Sequence, residues 1–172
     1  MRDRCTDTIR RAYRASAGDS SALFQAVVEA AGEMGIEAAL GILEQCVLQK
    51  RARWMEETLP RFPRTVDPIQ DAFRLFYLDY LHLTLPADGE IVDASSSRLV
   101  TRWWNPCPTL EACRQFGLDT RIVCRRAYHE PVQLMFSAID PRLVFERSYP
   151  CLRPHAPYCE ERIILLPIPR HP

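Results

Sequence analysis

The sequence predicts an α+β fold in which N-terminal helices pack with a four-stranded antiparallel sheet of two hairpins separated by short helices. Three observations predict it. Apolar residues recur at helical spacing through residues 1–86, strand-like segments appear only after residue 87, and the later order reads β-β-α-α-β-β. Helices followed by hairpins, rather than strands alternating with helices, argue for antiparallel pairing. With 172 residues and 47% hydrophobic side chains, the chain suits one domain, 1–172, whose core needs no disulfide. Within it, 1–86 is the helical half, 87–166 the β-β-α-α-β-β half and 167–172 (PIPRHP) an extended tail.

The elements follow in order. Residues 2–16 form a helix that stops at Ala17-Gly18, and Asp19, Ser20 or Ser21 caps a second one through Glu33, with Leu23, Val27 and Ala30 or Ala31 at helical spacing. After Gly35 a third and longest helix runs from Ile36 to Leu59, with an apolar stripe drawn from Leu40, Leu43, Val47, Trp54 and Leu59. The tract RFPRTVDP breaks that pattern. Asp67 then caps a fourth helix with Pro68 at its first position, where a missing N–H costs nothing. Phe73, Phe76, Tyr77, Tyr80 and Leu81 lie along it, before Pro86. EIVDA (90–94) and RLVTRWW (98–104) read as a hairpin turning at Ser95–Ser97. Short helices open at Cys107-Pro108 and at Asp119, the second reaching Tyr128, and a third helical piece covers 131–138. Residues 142–149 alternate Leu143, Phe145 and Tyr149 against Val144, Glu146 and Ser148, and CEERIILL (159–166) supplies the last strand.

Twenty-two basic and 22 acidic side chains cancel and are evenly spread, which argues against nucleic acid as a partner, since gripping a duplex means neutralising many phosphates. The polar start MRDRCTDTIRRAYR lacks the apolar stretch of a secretory signal. The most apolar segment, AFRLFYLDYLHLTL, is interrupted by Arg74, Asp79 and His82, so no membrane span is expected. The expectation is a cytoplasmic protein whose thiols stay reduced. With 6 Gly and no phosphate-cradling loop, dinucleotide fingerprint, GxSxG or HExxH, nucleotide-cofactor chemistry has no foothold.

Cysteines point to the site. Of 7, five lie after residue 106: Cys107, Cys113, Cys124, Cys151 and Cys159. No CxxC spacing occurs, so spacing alone says little about metal. The expected structure says more. Cys151 follows one strand and Cys159 begins the next, which sets both thiols at the mouth of one hairpin loop. Cys107 precedes Pro108 as N-cap candidate, where the positive helix end favours thiolate. Cys124 sits one turn into the helix opened by Asp119. Cys113, about 600° of helical rotation beyond Cys107, faces elsewhere and packs beside Leu110. The expectation is that Cys107, Cys124, Cys151 and Cys159 converge on zinc or an iron–sulfur cluster. The plain alternative is that free cysteines are simply buried.

The order Cys107-Pro108, then VCRRAY around Cys124, FERSYPC (145–151) and YCEERI (158–163) resembles the L-2-amino-thiazoline-4-carboxylate hydrolase-like family, and RARWMEE upstream is similar to that family's N-terminal half. The hairpin with seven residues between its cysteines also resembles the 4-vinyl reductase-type sensor domain, in which cysteines and a carboxylate bind zinc beside a small-molecule pocket. The first resemblance implies hydrolysis of a small cyclic amidine, a thiolate-bound metal polarising substrate or activating water.

Other side chains extend this expectation. Glu161 shares strand parity with Cys159 and is the better candidate than Glu160 for a water-activating base. His155, in the hairpin loop, is a candidate proton shuttle or ligand, and Cys107 a candidate nucleophile. Trp103 and Trp104 point to opposite faces, Trp103 lining a pocket; Arg102 is a candidate carboxylate clamp. His129-Glu130 is a weaker acid/base pair, and His82 reads as a core histidine. Two further classes stand beside the hydrolase. One is a non-catalytic zinc- or iron–sulfur-containing domain that senses a small apolar ligand. The other is an accessory subunit docking on a protein partner, or on a second copy, through its helical half.

Overall fold

The computed structural model describes residues 2–16 and 20–168. Its elements are α1 (Arg2–Ala15), α2 (Ser21–Met34), α3 (Ile36–Thr58), α4 (Pro68–Phe73), β1 (Gly89–Ala94), β2 (Arg98–Trp103), α5 (Pro108–Phe116), α6 (Thr120–Val123), α7 (His129–Ile139), β3 (Leu143–Arg147) and β4 (Cys159–Leu165). Wide π-helical turns continue α4 over Arg74–Tyr80 and α6 over Cys124–Tyr128, and single 3-10 turns cover Leu59–Arg61 and Tyr149–Cys151. The α+β class and the two antiparallel hairpins are as the sequence predicts. The stop at Ala17-Gly18, the Asp19 cap and residues 169–172 of the tail lie outside the described residues. The third strand is shorter than expected: it ends at Arg147, because Pro150 draws the next residues into a 3-10 turn. None of the described helices is long and apolar enough to cross a membrane.

The chain divides into two compact units that cut across the sequence division at residue 86. The first comprises residues 1–51 and 107–131. Its core joins Ile9 of α1, Phe24 and Val27 of α2, Leu40 and Leu43 of α3, and Cys113, Val123 and Ala127. Ser20 is the N-cap of α2 but makes no side-chain capping bond. α5 opens with Pro108 after Cys107 and closes at Gly117, whose φ of 65° is left-handed and suits glycine. Arg126 lies across Gly41: a Cβ there would stand 2.7 Å from Arg126 Nη2. Its Nη1 donates to Glu44 Oε2 at 2.6 Å, and its Nε lies 3.5 Å from Glu37 Oε2.

The second unit comprises residues 52–106 and 132–172. Asp67 accepts from the backbone N–H groups of Ile69 and Gln70, the expected cap of α4. The sheet order is β1-β2-β4-β3, every neighbour antiparallel. Register fixes the faces. Thr101 stands opposite Glu161, Trp103 opposite Cys159, Leu99 opposite Ile163, Phe145 opposite Ile163 and Arg147 opposite Glu161. These residues share one face, which meets Phe73, Phe76 and Tyr77 in the core. The other face bears a row of charge: Arg102 and Arg162 both donate to Glu160, each at 3.2 Å. Gly89 is needed at the start of β1, since a Cβ would lie 2.4 Å from Arg102 O and from Trp103 Cε3.

Candidate functional site

The second unit builds a buried polar network on the inner face of its sheet. Glu161 is 5% exposed. Its Oε2 accepts from Tyr77 Oη at 2.8 Å, and its Oε1 accepts from Arg147 Nε at 2.7 Å and lies 2.6 Å from Arg147 Nη2. Strand register delivers Arg147 and Glu161 as a directly opposed pair, and the π turns after α4 deliver Tyr77. Trp103 Nε1 donates to Thr101 Oγ1 at 2.8 Å, and Thr101 Oγ1 donates to the Glu161 carbonyl at 3.4 Å. The Tyr77 and Trp103 rings stack, centroids 4.6 Å apart at 20°. Burial first, then the charge and hydrogen bond of Glu161, push the Tyr77 hydroxyl well above its ordinary value near 10. A buried carboxylate is tolerable only because cation and hydroxyl share it.

This geometry revises several roles. Glu161 faces inward with Cys159, as parity predicts, but both its oxygens are engaged, so a water-activating role does not follow from its position. Trp103 is 3% exposed and packs against Tyr77 and Phe73 rather than lining an open pocket. Trp104 is 40% exposed and donates Nε1 to Ala87 O. Arg102, the candidate clamp, is held by Glu160 and lies over the Tyr158 ring at 4.4 Å. His155 is exposed in the hairpin loop, its backbone N–H bonded to Leu152 O. His82 is no core histidine: it is exposed, in a left-handed conformation at φ 54° just past the π turns, whose last residue is Tyr80.

The cysteines fall into two sets. Cys151 and Cys159 belong to the second unit, Cys151 ending the 3-10 turn after β3 and Cys159 opening β4, both half-buried. The Cys151 N–H bonds Ser148 O, and the Ser148 N–H bonds Glu160 O, so the turn is pinned to β4 beside Cys159. Arg153 Nη1 donates to Asn105 O at 2.8 Å and braces the same loop. Cys107, Cys113 and Cys124 belong to the first unit. Cys107 is the N-cap of α5, but its thiol makes no capping hydrogen bond, so the sulfur is not held against the helix N–H groups as expected. Cys113 is buried, as expected, and burial, then the neighbouring Cys124 and Cys107, push its thiol up to about 12. Helical rotation alone missed that proximity, because it ignores where α6 packs. Among the described residues no three His, Cys, Asp or Glu side chains form a group spaced to hold a metal ion.

From sequence, Tyr77 is placed along the fourth helix with no role in the site, and Arg147 is not singled out. Arg147 shares parity with Phe145 in FERSY, an Arg on the apolar face opposite an equally placed Glu161, and that signal was readable. Fold and site together define an α+β chain with a buried carboxylate–phenol–guanidinium network and cysteines grouped in its C-terminal half. Comparison with known proteins adds no family: no family model matches the chain, and no curated protein or solved structure matches it.

Proposed function

We propose that this chain is a non-catalytic binding domain that holds zinc or an iron–sulfur cluster on thiolates of its C-terminal half, rather than a hydrolase. The observation behind this reading is the engagement of Glu161. A general base must reach the water or substrate whose proton it takes, whereas Glu161 is 5% exposed, with Tyr77 on one oxygen and Arg147 on the other. The hairpin-mouth thiols Cys151 and Cys159 fit a thiophilic metal by donor type, and two thiolates leave a tetrahedral centre incomplete. A centre whose remaining positions are also filled has no open position for substrate, which suits a structural or sensing role.

The experiment is metal analysis of anaerobically purified protein, wild type and the Cys151→Ser, Cys159→Ser, Cys107→Ser and Cys124→Ser variants. Stoichiometric zinc, or a brown protein containing iron and sulfide, lost in the hairpin variants, supports the reading. Metal-free wild-type protein overturns it, as does full metal retention in both hairpin variants. Turnover of an amino-thiazoline carboxylate that disappears in Glu161→Gln would overturn the non-catalytic part.

A further inference from the structure

The outer face of α1 concentrates positive charge. The helix turns Cys5 and Ile9 inward, and its opposite side presents Asp7, Arg10, Arg11 and Arg14 at helical neighbour spacing. With Ala15 these residues line a shallow, open hollow of about 630 Å³. All three arginines are exposed, and among the described residues none makes a hydrogen bond or ion pair. Arginines elsewhere behave differently: Arg64, Arg98, Arg121, Arg126 and Arg142 all bind carboxylates or carbonyls.

Arg14 stands at i+4 from Arg10 and i+3 from Arg11, where like charges repel, and Asp7, at i+3 and i+4 spacing to Arg10 and Arg11, is the one acid lining the hollow. The helix dipole accounts for one cation in the last turn, Arg14, and not for its two neighbours. The field also reaches α3. The guanidiniums of Arg10 and Arg14 draw the Cys46 thiol down against the burial that raises it. One turn beyond Cys46, Lys50 Nζ lies 6.0 Å from the ring of Tyr13 on α1.

We propose that this hollow binds a phosphate-bearing anion, a phosphomonoester presented either free or as a lipid headgroup. A tetrahedral dianion offers several acceptor oxygens to guanidinium forks arriving from one side and removes the repulsion between them. A single carboxylate offers one edge and half the charge. The site is separate from the sheet network and from the hairpin thiols, so it stands whether or not a metal is bound.

The test uses the full chain, with inorganic phosphate as the free probe and phosphatidylcholine vesicles, with or without phosphatidic acid, as the headgroup probe. Saturable binding of either probe should weaken about tenfold or more in Arg10→Gln/Arg14→Gln, with unchanged far-ultraviolet circular dichroism. It should tighten in Asp7→Asn, which removes the lining's acid. Vesicle binding that free phosphate does not compete away assigns the headgroup, and phosphate binding without a vesicle preference assigns the free ligand. The proposal is overturned if neither probe binds, or if the folded double variant binds like wild type. Should that variant misfold, Asp7→Asn decides, and unchanged affinity there overturns it.

Discussion

Replacing Tyr77 by Phe isolates the network's hydroxyl without disturbing its packing. The ring keeps its stack on Trp103 and its edge contact with Phe76, and no cavity opens. What is lost is one charge-assisted bond of 2.8 Å to Glu161 Oε2, in a place 1% exposed at Tyr77 and 5% at Glu161. A hydrogen bond to a charged group contributes about 1.5–3 kcal/mol, and the carboxylate oxygen left behind has no water to replace it. The upper part of that range, about 2–3 kcal/mol, is the expected cost. Glu161→Gln should cost more, about 3–5 kcal/mol, because it leaves the Arg147 guanidinium buried without its counter-charge. Urea unfolding followed by tryptophan fluorescence reads the right place, since Trp54, Trp103 and Trp104 all belong to the second unit. The pH dependence carries the same information. Tyr77 has its pKa raised on folding, so the folded state holds the proton more tightly and the bond stabilises fully below about pH 10. That contribution is lost as pH climbs through the folded value, and Tyr77→Phe should flatten the alkaline limb. A Tyr77→Phe midpoint within about 0.5 kcal/mol of wild type, with an unchanged alkaline limb, would refute the reasoning.

Two glycines give further tests. Gly89→Ala pushes a methyl group into the backbone oxygen of Arg102 and the Trp103 ring, both 2.4 Å away. The overpacking should destabilise the second unit by about 1–3 kcal/mol, and a melting temperature equal to wild type would contradict the close approach. Gly41→Ala gains about 1 kcal/mol of helix propensity but displaces Arg126, whose pair with Glu44 is 38% and 14% exposed and contributes about 1 kcal/mol or less. The two effects should nearly cancel in wild type. In an Arg126→Ala background the same substitution should stabilise by the full helix increment, measurable by denaturant titration.

Much of the fold was legible because local signals agreed. Asp67-Pro68 marks a helix start by its side-chain oxygen and fixed φ, and the structure uses both. Pro108 and Gly117 bracket α5 in the same way. Alternation put Glu161 on the same face as Cys159 and Trp103 on the face opposite Trp104, and the register agrees for Trp103, Cys159 and Glu161. The site was harder. Parity located Glu161, but only the third dimension shows Tyr77 arriving on a π turn to occupy one of its oxygens. Such turns leave no mark in the spacing of apolar residues, because Phe73, Phe76 and Tyr77 read equally well as an α stripe. The relation of Cys113 to Cys107 and Cys124 was also out of reach, since it depends on tertiary packing and not on rotation along one helix.

The strand order has a consequence for how the molecule is made. β4, the last of the four strands in chain order, is not an edge but an interior strand, pairing with β2 on one side and β3 on the other. Arg102 and Glu160 meet across a separation of 58 residues. The first hairpin therefore waits with one flank open until residues 159–165 have left the ribosome. A nonsense mutation just before residue 159 would not trim the sheet; it would remove its keystone, leaving the β1-β2 hairpin with an open flank and β3 with no partner.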